Sequence, residues 1–237
     1  MEKDKISFFL PTRRGSQRVK NKNTRQFAQY KGGLLENKLV QILGSNLVDE
    51  IILSTNDDLC IEIAESFSKK SDRLIIDRRP EYLCLDTTNL EDLISYVPTI
   101  TEAEHILWGH VTTPLVEAAI YDEAISVYLD QLEKRYDSLV SVTELKNFIL
   151  DMNGKLINNT TQLPWPRTQD LDPLYEINHA IFLASRYIYI NMRNRLGKNP
   201  YLHKMSKIES LDVDWEEDFL IAEQLYIQRE SSKIING

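Results

Sequence analysis

Two parts of this chain have residue types and spacing suited to a charged phosphate ligand. The stretch "LPTRRGSQRVKNKN", Leu10 to Asn23, holds five cations (Arg13, Arg14, Arg18, Lys20, Lys22) and no acid, in a chain of formal charge -8. Backbone N–H groups near Gly15, with these side chains, would make an anion site suited to phosphates. The plainer reading is a solvated basic turn. Near the other end, "SLDVDWEED" sets Asp212 and Asp214 at i and i+2. On a strand that spacing puts both carboxylates on one face. Neighbouring carboxylates repel unless a cation lies between them. Mg²⁺ fits, since it takes one or two carboxylates plus phosphate oxygens and water. The plainer reading makes Asp214 a helix cap, with Glu217 completing a capping box. Both readings can hold for Asp214, and capping explains Asp212 less well.

Two further segments carry polar groups beside apolar runs. "GHVTTPL" presents His110, Thr112 and Thr113 straight after "HILWG". A lone histidine is more often structural than catalytic. "RRPEYLCLDTTNLEDLI" brings Arg79, Asp86 and Thr87 between an expected strand and helix, where turn and cap chemistry is the plainer reading. Neither G-x-x-x-x-G-K-[ST] nor G-x-G-x-x-G occurs in the basic loop, which holds only Gly15.

The elements that must position these groups follow from periodicity. Ile6 to Leu10 reads as a first strand ended by Pro11, and "LLENKLVQIL" as an amphipathic helix. "IILST" and "RLIID" read as strands, with a helix capped by Asn56 or Asp57 between them. "TTNLEDLISYVPTI" reads as a helix with Thr87, Thr88 or Asn89 as cap. "HILWG" is then a central strand, "EAAIYDEAISVYLDQL" a helix and "DSLVSVTEL" a strand. This repeated strand–helix order predicts an α/β sheet with crossover helices, and ligands in such sheets bind at the carboxyl ends of the strands. Past residue 140 the rhythm breaks. "NFILDMNGKLINN" predicts a hairpin turning at Asn153-Gly154, and a Pro-rich loop follows. "INHAIFLA" reads as a strand, "SRYIYINMRNRL" as a helix, "KIESLDVD" as a strand and "WEEDFLIAEQLYIQR" as the closing helix. The irregular excursion has the character of a lid or an oligomer contact.

Composition narrows the class. With 237 residues, 42% of them hydrophobic, the chain can bury a sizeable core, and its eight glycines argue against a repetitive or flexible protein. No apolar run nears the roughly 20 residues that span a bilayer, and the five-residue apolar stretch after the start is too short for a signal-peptide core. These features predict a cytoplasmic protein with no membrane association. Its two cysteines, Cys60 and Cys84, offer no zinc framework. The acidic balance argues against nucleic acid as partner, and the local positive charge suggests a small anionic ligand.

Taken in order, these segments resemble the acylneuraminate cytidylyltransferase family. The opening loop is similar to the family's IPARGGSKRxPxKN, with Arg13, Gly15, Ser16, Lys22 and Asn23 on matching positions. "ILSTNDDLCIEIAESF" resembles VSTDD and its helix, "RPEYLCLDTT" resembles RPxxLAxDTAS, and "VTTPL" stands where the family has PTSPL. "YEINHAIFLA" resembles YxxNGAIYI, and "SLDVDWEEDFLIAE" the closing SIDIDTxxDxxxAE. The resemblance implies a Rossmann-like nucleotidyltransferase fold, one domain over 1–237, and a homodimer in which the excursion at about 143–177 packs on the partner chain. It implies that CTP and an acidic 2-keto-3-deoxy sugar give the CMP-sugar and pyrophosphate, with Mg²⁺ stabilising the phosphates. By the same resemblance Arg13 and Lys22 would hold the triphosphate with help from Ser16. Asn23 and Arg79 would seat the nucleotide, and the Thr87 segment would face the cytosine. Asp212 and Asp214 would bind Mg²⁺, with Arg13, Lys22 and Asp212 as the catalytic set.

The sugar side departs from the family pattern more than the nucleotide side does. Arg14 replaces a glycine, His110 stands where many sialic acid enzymes have Gln, Val116 where they have Arg, and His179 replaces the glycine after Asn178. By analogy His110, Asn178 and Arg167 face the sugar, with Arg167 aligned to a family arginine near the sugar carboxylate. Legionaminate or pseudaminate therefore stand beside N-acetylneuraminate as substrates. A CMP-Kdo-like or other sugar nucleotidyltransferase is the alternative within enzymes. A catalytically idle nucleotide-binding homologue is the alternative outside them.

Overall fold

The computed structural model describes residues 4–15 and 18–236. Its first strand, β1 (Ile6–Pro11), is buried along nearly its whole length, as expected where helices cover both faces of a sheet. The chain then alternates: α1 (Gly33–Leu43), β2 (Glu50–Thr55), α2 (Asp58–Ser68), β3 (Leu74–Arg78), α3 (Leu90–Tyr96), β4 (His105–Trp108), α4 (Ala118–Leu132) and β5 (Ser138–Leu145). It ends with β6 (Leu174–Ser185), α5 (Arg186–Met192), β7 (Pro200–Lys204) and α6 (Glu216–Asn236). The seven strands form one sheet in the order β3-β2-β1-β4-β6-β5-β7. β1 pairs in parallel with β2 and β4, β2 with β3, and β5 with β7, while β6 runs antiparallel to β4 and β5. The sheet is thus mostly parallel and flanked by helices, as the strand–helix alternation predicts.

Two apolar layers hold the sheet. Phe8, Leu10, Leu53, Leu107 and Leu183 point to the side covered by α1, α2, α4 and α6, where Leu39, Tyr121, Ile125 and Phe219 meet them. Phe9, Ile52, Ile106, Trp108 and Phe182 point to the other, with Ile94 of α3 and Ile188 and Tyr189 of α5. Each large apolar side chain buried this way contributes about 1.5–3 kcal/mol. Gly109 is required at the end of β4: a Cβ there would lie 2.4 Å from the Phe8 ring.

The order of strands makes the site. From β1 the chain builds outward through β2 and β3, then crosses back to place β4 on the other side of β1. Strand direction of growth reverses between β1 and β4, and the crevice at such a switch point is where open α/β sheets bind ligands. The long loop after β1 returns over α6. Phe27 packs edge-on against Phe219 and Tyr226, Arg25 pairs with Glu216 at 2.7 Å, and the Ala28 N–H donates to Glu223. Gly33 closes the loop at φ 69°, where a Cβ would sit 2.2 Å from the Arg25 carbonyl oxygen.

Several local expectations are corrected. "KIESLDVD" is not a strand: residues 207–210 turn and 211–214 run irregularly. The Val213 N–H donates to the Thr112 carbonyl and its own carbonyl accepts from Lys22, so loop and side chain replace a ladder. The last strand is β7, from "PYLHK", beside β5. Asp214 does not cap α6 with Glu217. Asp218 instead reaches back to accept from the Asp214 and Trp215 N–H groups. Asp57 caps α2, accepting from the Leu59 N–H. α5 stops at Met192 because Arg193 takes a left-handed conformation. The hairpin at Asn153-Gly154 is reduced to one bridge, Leu150 to Leu156, around a turn held by Asp151.

Candidate active site

A cavity of about 650 Å³ opens at the switch point. Pro11, Thr12 and Arg13 line it from the end of β1, and Trp108, His110, Val111 and Thr112 from the end of β4. Arg18, Lys22 and Asn23 enter from the basic loop, and Arg79, Asp86 and Thr88 from the loop after β3. Three of the sequence segments singled out separately, the basic loop, the 79–88 loop and the loop after β4, therefore meet in one place.

Its cations are held by the protein itself. Arg13 Nη1 lies 2.6 Å from Asp86 Oδ1 and donates to the Cys84 carbonyl at 3.2 Å. Arg18 Nη2 lies 3.0 Å from Asp214 Oδ1, with its guanidinium over the Trp215 ring. Lys22 Nζ donates to the Val213 carbonyl at 2.8 Å and lies 4.0 Å from Asp214. Burial lowers the Lys22 pKa, and Asp214 and Asp212 pull it back up. Asn23 donates to the Arg13 carbonyl at 3.3 Å, while its own carbonyl accepts from the Leu35 N–H at the start of α1. Arg79 is buried, donating to the Thr12 carbonyl and to Cys84 Sγ. It thus ties the end of β1 to the loop after β3. Behind the 111–115 loop, fully buried Lys38 donates to the Thr113 carbonyl and the Tyr121 hydroxyl.

The carboxylates differ in environment. Burial raises the Asp212 pKa, the Thr112 hydrogen bond lowers it, and the nearby Asp214 charge raises it again. Asp212 Oδ1 is buried with no hydrogen-bond partner among the described residues. A buried carboxylate oxygen without a donor, beside a second carboxylate, is the chemistry of a divalent-cation site. These residues fit Mg²⁺. Among the described residues no third acid, His or Cys joins them, so phosphate oxygens and water would complete the shell.

His110 is half-buried, with its Nε2 enclosed, and its pKa is pushed down to about 3, first by desolvation, then by the charges of Arg195, His179, Lys22 and Lys38. Its Nε2 has no partner among the described residues, nor has Trp108 Nε1. Asn178 turns toward the sheet, where its Oδ1 accepts from Ser141 at 2.6 Å and its Nδ2 donates to Thr143. His179, with φ 59°, faces His110 at 6.4 Å between rings. Thr87 is exposed, while its neighbour Thr88 lines the cavity. Arg167 lies on the excursion, exposed and in a two-pronged pair with Asp170. Ser16 lies outside the described residues. Sequence reasoning gave no role to Arg18, Lys38 or Arg195. Arg18 was legible only as one charge of the loop, and Lys38 and Arg195 carried no local signal.

A mostly parallel sheet with a cation-lined crevice at its switch point defines an open α/β fold with a crevice suited to an anionic ligand. The chain belongs to the cytidylyltransferase family, whose model matches residues 8–232. It is 26% identical to an N-acylneuraminate cytidylyltransferase from Escherichia coli over 97% of this chain and 54% of that one. It thus spans about half the length of that relative. It is 22% identical to a pseudaminic acid cytidylyltransferase from Campylobacter jejuni over 92% of this chain and 94% of that one. With a CMP-N,N'-diacetyllegionaminic acid synthase from Legionella pneumophila it shares 24% identity over 93% of this chain and 96% of that one. Among solved structures, a CMP:2-keto-3-deoxy-manno-octonic acid synthetase complexed with CTP matches with TM-score 0.67 and 14% identity, over 95% of this chain and 99% of that one. The fold is therefore the nucleotidyltransferase fold expected from the sequence.

Proposed function

We propose that this protein transfers CMP from CTP to a sialic-type nonulosonic acid, giving the CMP-sugar and pyrophosphate. The observation that carries this reading is the meeting of Arg13, Arg18 and Lys22 in the crevice at the β1–β4 switch point, with Asp214 beside Arg18 and Lys22 and the Asp212 charge acting on Lys22. Membership of the cytidylyltransferase family, and relatives that act on three different nonulosonic acids by name, support the same chemistry.

In this reading the triphosphate lies against Arg13, Arg18 and Lys22. Each now spends its charge on a protein oxygen, and Arg13 and Arg18 do so in pairs that are about half exposed. Such pairs are worth only about 0–1 kcal/mol, so a multiply charged ligand displaces them readily. The anomeric hydroxyl of the sugar attacks the α-phosphate in line, and pyrophosphate leaves. Phosphoryl-type transfer depends chiefly on positioning and charge stabilisation. Asp212 and Asp214 would hold Mg²⁺, which supplies Lewis-acid stabilisation of charge on phosphate oxygens. Arg79 and Asn23 keep the backbone at Thr12 and Arg13 in place beneath the nucleotide.

A homodimer in the cytoplasm completes the proposal. Exposed apolar side chains gather on the excursion, including Met152 at 98%, Trp165 at 75% and Leu163 at 61% exposure. Such a patch marks an interaction surface. Among the described residues no helix is long and apolar enough to cross a membrane. Sedimentation of the purified chain as a monomer at micromolar concentration would remove the dimer from the reading.

The test of the reaction is pyrophosphate release from CTP and Mg²⁺ with N-acetylneuraminate, legionaminate, pseudaminate and Kdo in separate reactions. Release with one of the first three is expected. Release with Kdo alone moves the protein to the Kdo-like class. CTP binding without release for any sugar identifies an idle homologue.

A further inference from the structure

Two guanidiniums near the site have no carboxylate among the described residues: Arg79, whose bonds go to the Thr12 carbonyl and Cys84, and Arg195, which lies against two aromatic faces. Arg195 follows the left-handed turn at Arg193 and returns over the sheet. Its guanidinium carbon lies 3.7 Å from the centre of the Phe182 ring and 5.0 Å from that of Trp108. Those two residues face each other across the β4–β6 pairing. No ion pair joins Arg195 to an acid among the described residues, although the Arg13, Arg14, Arg18, Arg25 and Arg167 side chains all have one. Burial lowers its pKa, which is the sign of a cation set against apolar surface.

Its position points to the acid sugar. Trp108 and His110 line the cavity on the β4 side, away from the phosphate cations of the loop after β1. Arg195 supplies the largest single charge acting on His110. A guanidinium stacked on two rings is fixed in plane, and a fixed planar fork suits two-pronged recognition of a carboxylate. Stacking on the aromatic faces offsets part of the cost of burying the charge. A carboxylate would offset the rest.

We propose that Arg195 is the specificity-determining residue that binds the carboxylate of the acid sugar, holding the sugar on the Trp108–His110 side of the cavity. This inference rests on the reaction proposed above and names the group that makes its second substrate an acid. Arg167, on the exposed excursion and paired with Asp170, is the other arginine that the test must separate from Arg195.

The test compares wild type with Arg195→Ala, Arg195→Lys and Arg167→Ala. Thermal unfolding and CTP binding come first and are expected to be unchanged in all three. Pyrophosphate release is then measured with the preferred acid sugar and with its methyl ester. For wild type the acid should be strongly preferred. Arg195→Ala should raise KM for the acid roughly 10- to 100-fold, the scale of a lost charge-assisted hydrogen bond, leave the ester unchanged and so remove the preference. Arg195→Lys should recover part of it. An acid-over-ester preference that survives in Arg195→Ala, or is lost only in Arg167→Ala, overturns the inference while the proposed reaction stands. A variant that unfolds is replaced by Arg195→Gln, read in the same way. Should wild type release no pyrophosphate with any sugar, calorimetric binding of the acid sugars separates the two ideas. Acid-sugar binding that Arg195→Ala abolishes keeps the inference without the reaction, and absence of acid-sugar binding to wild type overturns the inference as well.

Discussion

The two flanks of the cavity treat polar groups in opposite ways. On the β1 side the exposed cations are paired, Arg13 with Asp86 and Arg18 with Asp214, while buried Arg79 is bonded to the Thr12 carbonyl and Cys84. These pairs are half exposed, so they hold the side chains near the crevice at little cost to exchange. On the β4 side, polar groups are buried against apolar neighbours. His110 Nε2 and Trp108 Nε1 have no partners among the described residues, and Arg195 stacks on two rings with no ion pair among those residues. A buried polar group left unpaired costs about 1–3 kcal/mol. A site of this kind rejects a ligand that cannot satisfy it, whereas exchangeable pairs accept any suitable polyanion. On the proposed reaction, the β1 flank would supply affinity for phosphate and the β4 flank the choice of the second substrate.

Substitutions can break this contrast or sharpen it. The largest effect is expected at Asp212, which joins the flanks through Thr112 and Lys22. Asp212→Asn keeps the size and removes the charge. It should lower kcat for pyrophosphate release roughly 10²- to 10³-fold, the scale of losing one preorganised electrostatic group. Turnover within about twofold of wild type would take Asp212 out of the machinery. Arg13→Ala comes next. A charge-assisted phosphate contact should be worth roughly 10- to 100-fold in kcat/KM for CTP. Because its pair with Asp86 is exposed, urea unfolding should shift by no more than about 0.5 kcal/mol. A large loss of stability with intact turnover would make Arg13 a structural residue and erase the contrast.

The third effect is read in stability rather than turnover, and it is one of pH at His110. In the unfolded chain its imidazole takes a proton near 6.5, while in the fold it resists until about 3. The unfolded state therefore binds more protons over that range. Stability is fully present above 6.5 and is lost as pH falls toward 3, at up to about 1.4 kcal/mol per pH unit. His110→Gln cannot titrate and should flatten this acid limb. Urea unfolding of both proteins above and below pH 6.5 reads the difference. Parallel limbs would show that His110 is not the enclosed neutral group described.

What the sequence determined by itself was local and periodic. The apolar runs Ile6 to Leu10 and Ile51 to Thr55, each followed by a helical pattern, are enough to specify a parallel α/β sheet, because strand and helix periods differ along the chain. The five cations of the Leu10–Asn23 segment are legible because their charge is contiguous, and the fold brings Arg13, Arg18 and Lys22 of them into the cavity. Tertiary structure decided the partners. "KIESLDVD" has a strand's composition, yet Lys22 and Thr112 take its backbone groups. Asp218 rather than Glu217 reaches back over the start of α6, and Asp214 turns to Arg18. Lys38 and Arg195 bear no local mark at all, because their character comes from what surrounds them. Burial beneath the 111–115 loop makes Lys38 a clamp, and a left-handed turn at Arg193 carries Arg195 onto Trp108 and Phe182. Propensity acts between neighbours in sequence. Desolvation and charge pairing act between neighbours in space, and only the fold makes those.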